Sequence, residues 1–407
     1  MTSDDAAHGQ HLDGLRVVEV ASFVAGPLAT LSLAQLGAEV VRIDPLGGAA
    51  DQTRWPLAPG GRSLYWAGLN QQKRSVALNL RSPEGRELAL ALATAPGEQA
   101  GIVVTNAVRG EWISYRAMAA LRPDLIHARL LGLPDGSPAV DYTVNAAIGF
   151  PRITGPGPGP VNHVLPAWDL LAGMNLALAV LVAERTRRAT GAGESIELSL
   201  YDVALSVSAH LGYLAEAALD PAGRPPGGNH YFGGFGRDFE TTDGRVMVVL
   251  PSHRQWLAFV DVLGVADRLT ALEKITGADL STDSGRHEQR EAIARNVAPW
   301  FAARTSAQVL GELSAAGVVA SEYRRFTDVV ADQGLLGVGN PVVEFVEEPS
   351  IGRIPAAGTP IRWGSRERAA VGSSQLLGAD TGPVLSELLG LGQAELGGLA
   401  ERGVIEL

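Results

Sequence analysis

An aspartate precedes a long apolar run near the middle of the chain. In PAWDLLAGMNLALAVLVAERTRR, residues 166–188, the apolar spacing from Leu170 to Val182 predicts a buried helix, and Gly191 follows its charged end. Position alone favours Asp169 as a helix N-cap that accepts a backbone N–H. A carboxylate in apolar surroundings is also a candidate nucleophile. Both roles stay open until the other residues of the chain are considered.

The composition excludes several classes of protein. The 407 residues include no cysteine, which excludes disulfides, cysteine–metal sites and a thiol nucleophile. A net charge of −11 without a basic stripe disfavours nucleic-acid binding. The first residues, MTSDDAAHGQ, lack the features of a signal peptide, and no apolar run reaches the roughly 18 residues of a membrane span. We therefore expect a cytoplasmic protein that binds neither nucleic acid nor membrane.

Strands and helices alternate through the first third of the chain. The strand-like runs are RVVEVA, AEVVRID, SVALNL and GIVVTN, and helical patterns follow the first, third and fourth of them, which predicts a doubly wound α/β sheet. Ligands bind at the carboxyl ends of such strands, here Ser22–Pro27 and Asp44–Gly48. A nicotinamide-cofactor enzyme with Asp44 on the ribose is disfavoured, because SFVAGP holds one glycine where the dinucleotide motif needs three.

The sequence becomes rich in proline and glycine near residue 220. Residues 1–220 are predicted to form the first part of a large Rossmann-like domain. Residues 225–330, with a hairpin signal around Asp243-Gly244 and two amphipathic helical patterns, are predicted to form a smaller α+β domain. Residues 340–407 again show strand-like and helical patterns and are expected to complete the large domain.

Six stretches then carry a resemblance in their order and spacing. They are LDGLRVVEV, AGPLATLSLAQLGAEVVRID, LNQQKRSVALNL, PDLI, the Asp169 helix ending in AERTRRATGAGESIELSLYD, and GGNHYFGGFGRDFETTDGRV. Together they resemble the class III CoA-transferases, the CaiB–BaiF family, over nearly the whole chain. The resemblance implies a Rossmann-like large domain, a small domain, a C-terminal return and an interlocked homodimer.

The resemblance also implies a chemistry for Asp169. In the family the aspartate that opens this helix attacks an acyl-CoA thioester, so that an aspartyl anhydride and then an aspartyl-CoA thioester form. The implied substrates are an acyl-CoA and a carboxylic acid, with coenzyme A as part of the substrate. No permanently bound cofactor and no metal are implied.

The resemblance also implies residues that bind coenzyme A. The matching residues are Ala25, Leu78, Arg81 and Asn106. An arginine often found after the second strand is Pro45 here. The loop after Asn106 is shorter than usual, so the family's next CoA-binding arginine has no fixed match, and Arg109 and Arg116 are the candidates.

A second set of residues is expected near the acyl group. It comprises Asp141, Asn145, His163, His230, Gly233, Gly234, Gly236 and Arg237. The glycines match a loop that can close over the anhydride and exclude water. His163, His230 and Arg237 are candidates to hold a second carboxylate. Asp141 and Asn145 are candidates for acyl or oxyanion contacts.

One branch of the family, the 2-methylacyl-CoA racemases, moves an α-proton and uses a histidine besides the aspartate. In PAVDYTVNAAIGF that histidine position is Val140, which cannot accept a proton, and His127, His163 and His230 lie outside the motif. Transfer is therefore favoured over racemisation. VNHVLPAWD and GNHYFGGFGRDF resemble the subgroup that moves CoA between the two carboxylates of one dicarboxylic acid, as mesaconyl-CoA C1–C4 transferases do. Transfer to a separate small acid is the near alternative, and a non-catalytic CoA-binding protein the remote one.

Overall fold

The computed structural model describes residues 10–107, 111–332, 334–336 and 340–407. The chain divides into two compact units. The large unit comprises Met1–Ile148, Val164–Ala215 and Gln333–Leu407, and the small unit comprises Gly149–His163 and Glu216–Asp332. The domain boundaries inferred from the sequence stay a proposal.

The strands follow the apolar runs of the sequence. In chain order they are β1 Arg16–Val20, β2 Glu39–Pro45, β3 Arg74–Leu78, β4 Ile102–Thr105, β5 Ile126–Leu131, β6 Glu194–Ser199, β7 Gly236–Glu240, β8 Arg245–Val249, β9 Val319–Glu322, β10 Val343–Glu348 and β11 Gly352–Ala357.

The helices lie between these strands and at the C-terminus. In chain order they are α1 Ala25–Ala34, α2 Leu64–Leu69, α3 Pro83–Thr94, α4 Tyr115–Ala119, α5 Asp141–Ala147, α6 Phe150–Ile153, α7 Ala167–Thr190, α8 Leu200–His210, α9 Tyr213–Leu219, α10 His253–Leu263, α11 Ala266–Thr276, α12 Asp283–Glu288, α13 Arg290–Ala302, α14 Ser306–Ala315, α15 Phe326–Ala331, α16 Thr381–Leu389 and α17 Gln393–Glu401. Ala50–Thr53 and Glu111–Ile113 are short 3₁₀ turns.

The large unit is built on a parallel sheet of six strands in the order β3-β2-β1-β4-β5-β6. This is the strand order of a doubly wound sheet, so the α/β prediction is confirmed. Strand β1 lies between β2 and β4, with Val18 beside Val41 and Val103. The strand order reverses at this point, which opens a crevice beyond the carboxyl ends of β1 and β4.

The two faces of the sheet are covered differently. Val18 points into an apolar cluster shared with α3, α16 and α17, so the C-terminal helices pack on the large unit. Its neighbour Glu19 points to the other face, beneath α1, because side chains alternate along a strand. Helix α7 crosses α1 closely: a Cβ at Gly173 would lie 2.8 Å from the Ala25 carbonyl oxygen.

Helix α7 is the one helix in the described part of the chain with the length and apolar composition to cross a membrane. It packs against α1, α8, β5 and β6, and Trp168, Leu176 and Val180 are buried. The prediction of a core helix over this segment is thus confirmed, with an extension to Ala167–Thr190.

The small unit is an antiparallel sheet packed on helices. Strands β7 and β8 form the hairpin predicted around Asp243-Gly244, and β9 pairs with β8. Phe239 and Phe301 stack in its core with ring centroids 4.2 Å apart. In the large unit, β10 and β11 pair only with each other among the described strands, so the strand-like text after residue 340 does not extend the parallel sheet.

Candidate active site

Helix α5 holds the beginning of α7. The buried Asp141 carboxylate accepts backbone N–H bonds from Trp168 at 2.7 Å and from Asp169 at 3.1 Å. One turn further along α5, the Asn145 side-chain oxygen accepts the Trp168 indole N–H at 3.1 Å. A helix leaves its first N–H groups without intrahelical partners, and here a carboxylate from another helix satisfies two of them.

The structure corrects the interpretation of Asp169 as an N-cap. Helix α7 begins at Ala167 after Pro166, so Asp169 lies at the third helical position. Because Asp141 binds the backbone N–H groups, the Asp169 carboxylate does not cap them, and no described residue donates a hydrogen bond to it. A carboxylate left free in this way suits a nucleophile better than a structural cap.

The surroundings of Asp169 disfavour its charge. Burial raises the pKa of Asp169 to about 7, the nearby Asp141 carboxylate adds to the rise, and the Arg54 guanidinium opposes it. Desolvation makes the anion more reactive but reduces the fraction that is ionised at a given pH. The helix N-terminus contributes positive potential at the same place. The Asp169 carboxyl group therefore ionises near neutral pH.

The loops after β1 and β4 meet at the reversal of the strand order. The Asn106 side chain accepts the Ser22 N–H at 3.2 Å and donates to the Ser22 carbonyl at 2.9 Å. Next in the loop, Phe23 has a positive φ of 68° and donates its N–H to the buried Asp51 carboxylate at 2.8 Å. These bonds fix the backbone at Ser22 and Phe23, in the loop where the sequence predicted a ligand region.

Sequence analysis missed a cation and an aromatic ring beside Asp169. The exposed Arg54 guanidinium lies over the rings of Tyr65 and Phe23, at 4.9 Å and 5.6 Å from their centroids. Burial raises the pKa of Tyr65 to about 12, and the Asp169 charge adds to the rise. The sequence did contain a signal, the polar stretch ADQTRW at residues 50–55. It lies just beyond Asp44–Gly48, where the expected ligand region ended.

A network of buried charges lies beneath α1. Arg42 binds Glu19 at 2.7 Å and both Asp44 oxygens at 2.8 Å, and Lys73 donates to Glu19 at 2.8 Å. Since Asp44 is buried and both of its oxygens bind Arg42, it is not available to a ribose, which agrees with the argument against a dinucleotide site. Arg42 also approaches the Asp51 carboxylate at 3.6 Å, which joins the network to the crevice loops.

The candidates for binding coenzyme A lie in different environments of the large unit. The side chains of Ala25 and Leu78 are buried, so only their backbones can face a ligand. Arg81 and Arg116 are exposed. Arg109 lies outside the described residues. Since Asn106 binds Ser22, it shapes the crevice from the β4 side. Their contacts with coenzyme A stay predictions.

Most of the other acyl-site candidates lie in the small unit. His230 and Arg237 converge on Glu291, at 2.7 Å and 3.3 Å, a carboxylate that sequence analysis did not single out. His163 is half-buried at the end of the small unit's first segment. The glycines of the predicted loop are Gly233, Gly234 and Gly236; a Cβ at Gly236 would lie 2.7 Å from the Val248 carbonyl oxygen, which gives that glycine a role in strand pairing.

Comparison with known proteins identifies the family. The sequence pattern of CoA-transferase family III matches residues 12–381. The chain belongs to CoA-transferase family III. It is 44% identical, over 97% of both chains, to a 2-methylfumaryl-CoA isomerase of Chloroflexus aurantiacus. It is 28% identical to a succinyl-CoA:mesaconate CoA-transferase of Haloarcula hispanica, over 92% of this chain and 96% of the relative.

A solved structure shows the same fold. A CaiB/BaiF family protein from Brucella suis superposes with a TM-score of 0.78 at 24% identity, covering 93% of this chain and 100% of that one. The predicted membership of CoA-transferase family III, and with it the prediction of an enzyme of CoA-transferase type, is confirmed. Members of this family act on CoA thioesters.

Val140 stands at the position where the racemases of this family carry a histidine. Val140 precedes α5 and is 59% exposed, with no group that accepts a proton. His127 in the large unit is a buried core histidine, with Nε2 3.0 Å from the Ile113 carbonyl oxygen. Burial lowers its pKa, and because the ring lies in the core with Nε2 beside a backbone carbonyl, His127 is not placed to reach a substrate.

Asp141 has two separable effects, one on the stability of the start of α7 and one on the pKa of Asp169. Asp141→Ala removes the acceptor for two backbone N–H groups and is expected to cost about 1–2 kcal/mol of stability. Asp141→Asn keeps an oxygen acceptor but removes the negative charge, so the pKa of Asp169 is expected to fall with little loss of stability. Urea unfolding and the pH dependence of Asp169 modification by an acyl-CoA check these two results. Equal losses of stability in the two variants, or an unchanged pH dependence in Asp141→Asn, would contradict this assignment.

Proposed function

We propose that this chain moves coenzyme A between the two carboxylates of one dicarboxylic acid through covalent intermediates on Asp169. The observation that carries the proposal is the environment of the Asp169 carboxylate. This carboxylate is largely buried at the start of a helix, and Asp141 rather than Asp169 accepts the backbone N–H groups there. The relative named as a 2-methylfumaryl-CoA isomerase supports this substrate class, since 2-methylfumarate and mesaconate are the same dicarboxylic acid.

The reaction proceeds in four displacements that need no proton, oxidant or ATP. An Asp169 oxygen attacks the thioester carbonyl carbon, the C–S bond breaks, and an aspartyl anhydride and CoA thiolate result. The thiolate attacks the Asp169 carbonyl carbon, which forms the aspartyl-CoA thioester and releases the dicarboxylate. The other carboxylate of that acid attacks the aspartyl thioester and expels the thiolate. The thiolate finally takes the acyl group and frees Asp169.

The site supplies position and electrostatics for these steps. Desolvation strengthens a carboxylate that would be a weak nucleophile in water. The N-terminus of α7 places its positive end near the oxygen that becomes negative in each tetrahedral intermediate. Because substrate and product are both CoA thioesters of the same acid, the transfer runs without a net input of free energy. A permanently bound cofactor is not part of this proposal.

Mass spectrometry tests the covalent mechanism. The protein is incubated with a panel of acyl-CoAs that includes mesaconyl-CoA and is quenched with hydroxylamine, and the peptide containing Asp169 is analysed. We expect a hydroxamate on Asp169 with the true donor and none in Asp169→Ala. Asp202→Ala is the matched control, because Asp202 occupies the same third position of α8 and is exposed. Isomerised CoA ester without added acid indicates transfer within one molecule.

The same experiment in heavy water separates the alternatives. Deuterium at the α-carbon without an Asp169 adduct would overturn the transferase proposal in favour of racemisation. An adduct with turnover only when a second acid is present would favour transfer between molecules.

The reaction is expected to depend on pH through Asp169. The attacking group is the anion, and its pKa is raised to about 7. The apparent kcat/KM is therefore expected to fall about tenfold per pH unit below pH 7 and to level off above it. Initial rates with mesaconyl-CoA between pH 5 and 9 check this profile. A plateau that extends down to pH 5 would show that Asp169 is ionised at much lower pH.

The predicted homodimer and the cytoplasmic location also stay proposals. The dimer is supported by an exposed apolar stripe on α7, a helix otherwise packed in the core. The stripe consists of Leu171, Met174, Leu178 and Val182, which recur every three or four residues. A second copy of the chain is the proposed occupant. Light scattering after size exclusion measures the mass, and the mass of a single chain at micromolar concentration would exclude the dimer.

A further inference from the structure

The backbone of Arg54 is fixed by hydrogen bonds, whereas its guanidinium has no ion-pair partner among the described residues. Its N–H donates to the Asp51 carbonyl at 3.2 Å, and its carbonyl accepts the buried Ser63 hydroxyl at 2.6 Å. The backbone is thus fixed on both sides. The exposed guanidinium is nevertheless without an ion pair to any described residue, although a carboxylate partner is the usual arrangement for a well-placed arginine.

The aromatic rings beside Arg54 restrict its side chain. Tyr65 and Phe23 contact the guanidinium through their faces, which leaves its edge N–H groups directed away from the rings. Phe23 is itself held at a positive φ by the bond from its N–H to Asp51. A guanidinium fixed in this manner loses little conformational freedom on binding a ligand.

A second donor lies beside this cation. The Tyr65 hydroxyl is buried and has no hydrogen-bond partner among the described residues. A buried hydroxyl without a partner is costly unless a ligand or water satisfies it. Tyr65 and Arg54 both interact electrostatically with Asp169, so both donors belong to the surroundings of the proposed nucleophile.

We propose that Arg54 and the Tyr65 hydroxyl bind the free carboxylate of a dicarboxylic acyl group. This inference rests on the proposed function and assigns its specificity. Arg54 presents two parallel N–H donors to the carboxylate, and the Tyr65 hydroxyl supplies a third donor. The Asp169 carbonyl carbon remains available for reaction with the other end of the acid.

The assignment gives Arg54 a role in the order of the steps. When CoA thiolate takes the aspartyl group, the dicarboxylate is no longer covalently attached. It must stay in the site until its second carboxylate attacks the aspartyl-CoA thioester. A charge-assisted contact at Arg54 retains the acid during this interval. Transfer within one molecule therefore depends on Arg54 more strongly than formation of the first anhydride does.

Binding to a protein that cannot turn over tests the contact directly. In the Asp169→Ala background, titration calorimetry compares mesaconyl-CoA with 2-methylcrotonyl-CoA, in which a methyl group replaces the free carboxylate. We expect tighter binding of the dicarboxylic ester, and a 10- to 100-fold loss of that preference on addition of Arg54→Met, from about the strength of a charged hydrogen bond. Arg54→Lys should lose less, because it keeps the charge without the paired donors.

Arg402→Met is the matched control, since Arg402 is an exposed arginine of the large unit that pairs with Glu84. It should leave both affinities unchanged. An equal loss for both esters in Arg54→Met would assign Arg54 to coenzyme A or to folding, and no preference in Asp169→Ala would exclude the subsite. Either result overturns the inference.

Label exchange distinguishes this inference from the proposed function. In protein with Asp169 intact, isomerisation of mesaconyl-CoA is run in the presence of ¹³C-mesaconate. We expect little label in the product normally and a clear increase in Arg54→Met, because the released acid escapes. Isomerisation with unchanged label in Arg54→Met would overturn the Arg54 assignment alone. Absence of isomerisation in the unmutated protein would refute the proposed function, while the binding preference would still decide the carboxylate subsite.

Discussion

Replacing Asp169 with asparagine is expected to abolish CoA transfer and to make the folded chain more stable. The amide cannot form the anhydride, so turnover should fall by at least about 10⁴-fold. Its shape matches the carboxyl group, and Asp141 still binds the start of α7. Loss of activity through misfolding is therefore not expected.

The gain in stability follows from the raised pKa of Asp169. The folded state holds a proton on Asp169 up to about pH 7, whereas an unfolded aspartate releases it near pH 4. This favourable contribution is complete below about pH 4 and is lost as the pH rises through 7. At pH 8 the folded chain carries an unfavourable anion that asparagine removes, for a gain of roughly 2 kcal/mol after screening by solvent.

Urea unfolding at pH 4 and pH 8 measures this effect together with the rate of CoA transfer. The difference between Asp169→Asn and the unmutated protein should be near zero at the lower pH and largest at the higher. Asp202→Asn, at the equivalent position of α8, should change neither activity nor stability. Equal stability of Asp169→Asn and the unmutated protein at both pH values would refute the raised pKa.

Replacing Glu19 with alanine is expected to be the most damaging change to the fold among those considered. Glu19 is the carboxylate in direct contact with the buried Lys73 ammonium, at 2.8 Å, and it also binds Arg42. Burial opposes its charge, but Lys73 and Arg42 outweigh burial and hold the pKa of Glu19 below its usual value. Removal of one partner from a buried ion pair costs about 3–5 kcal/mol, because the remaining charge is left uncompensated.

The loss in Glu19→Ala should depend on pH. Burial lowers the pKa of Lys73 to about 8 even with Glu19 present, and loss of the carboxylate lowers it further. An unfolded lysine keeps its proton to about pH 10, so the unfolded state binds more protons and stability rises with pH. The destabilisation should therefore be larger at pH 6 than at pH 9.

Chemical denaturation at these two pH values checks the prediction. Glu39→Ala is the control, because Glu39 forms a half-exposed pair with Arg74 at 2.7 Å and such pairs contribute about 1 kcal/mol or less. Similar losses in Glu19→Ala and Glu39→Ala would show that the buried network is not a stabilising feature of the folded chain.

The sequence by itself was sufficient to predict the local elements and to single out Asp169 as the candidate nucleophile. Apolar runs such as RVVEV and IVVT predicted the strands because parallel strands are buried on both faces. Ser82 and Glu84 predicted the start of α3, which the Ser82 side chain caps as expected. Asp169 was found from its place before an apolar helix and from the family resemblance, since both depend on residues close together in the chain.

Only the tertiary structure decided what surrounds that nucleophile. Asp141 lies 28 positions before Asp169 and replaces it as the cap of α7. Arg54, more distant still in sequence, supplies the nearby cation, and Glu291 occupies the partner position of His230 and Arg237 in the small unit. Residues brought together from separate elements leave no periodic pattern in the sequence. The family could therefore be predicted from the order of residues, whereas the charge, solvation and partners of the Asp169 carboxylate depend on the packing of α1, α5 and α7.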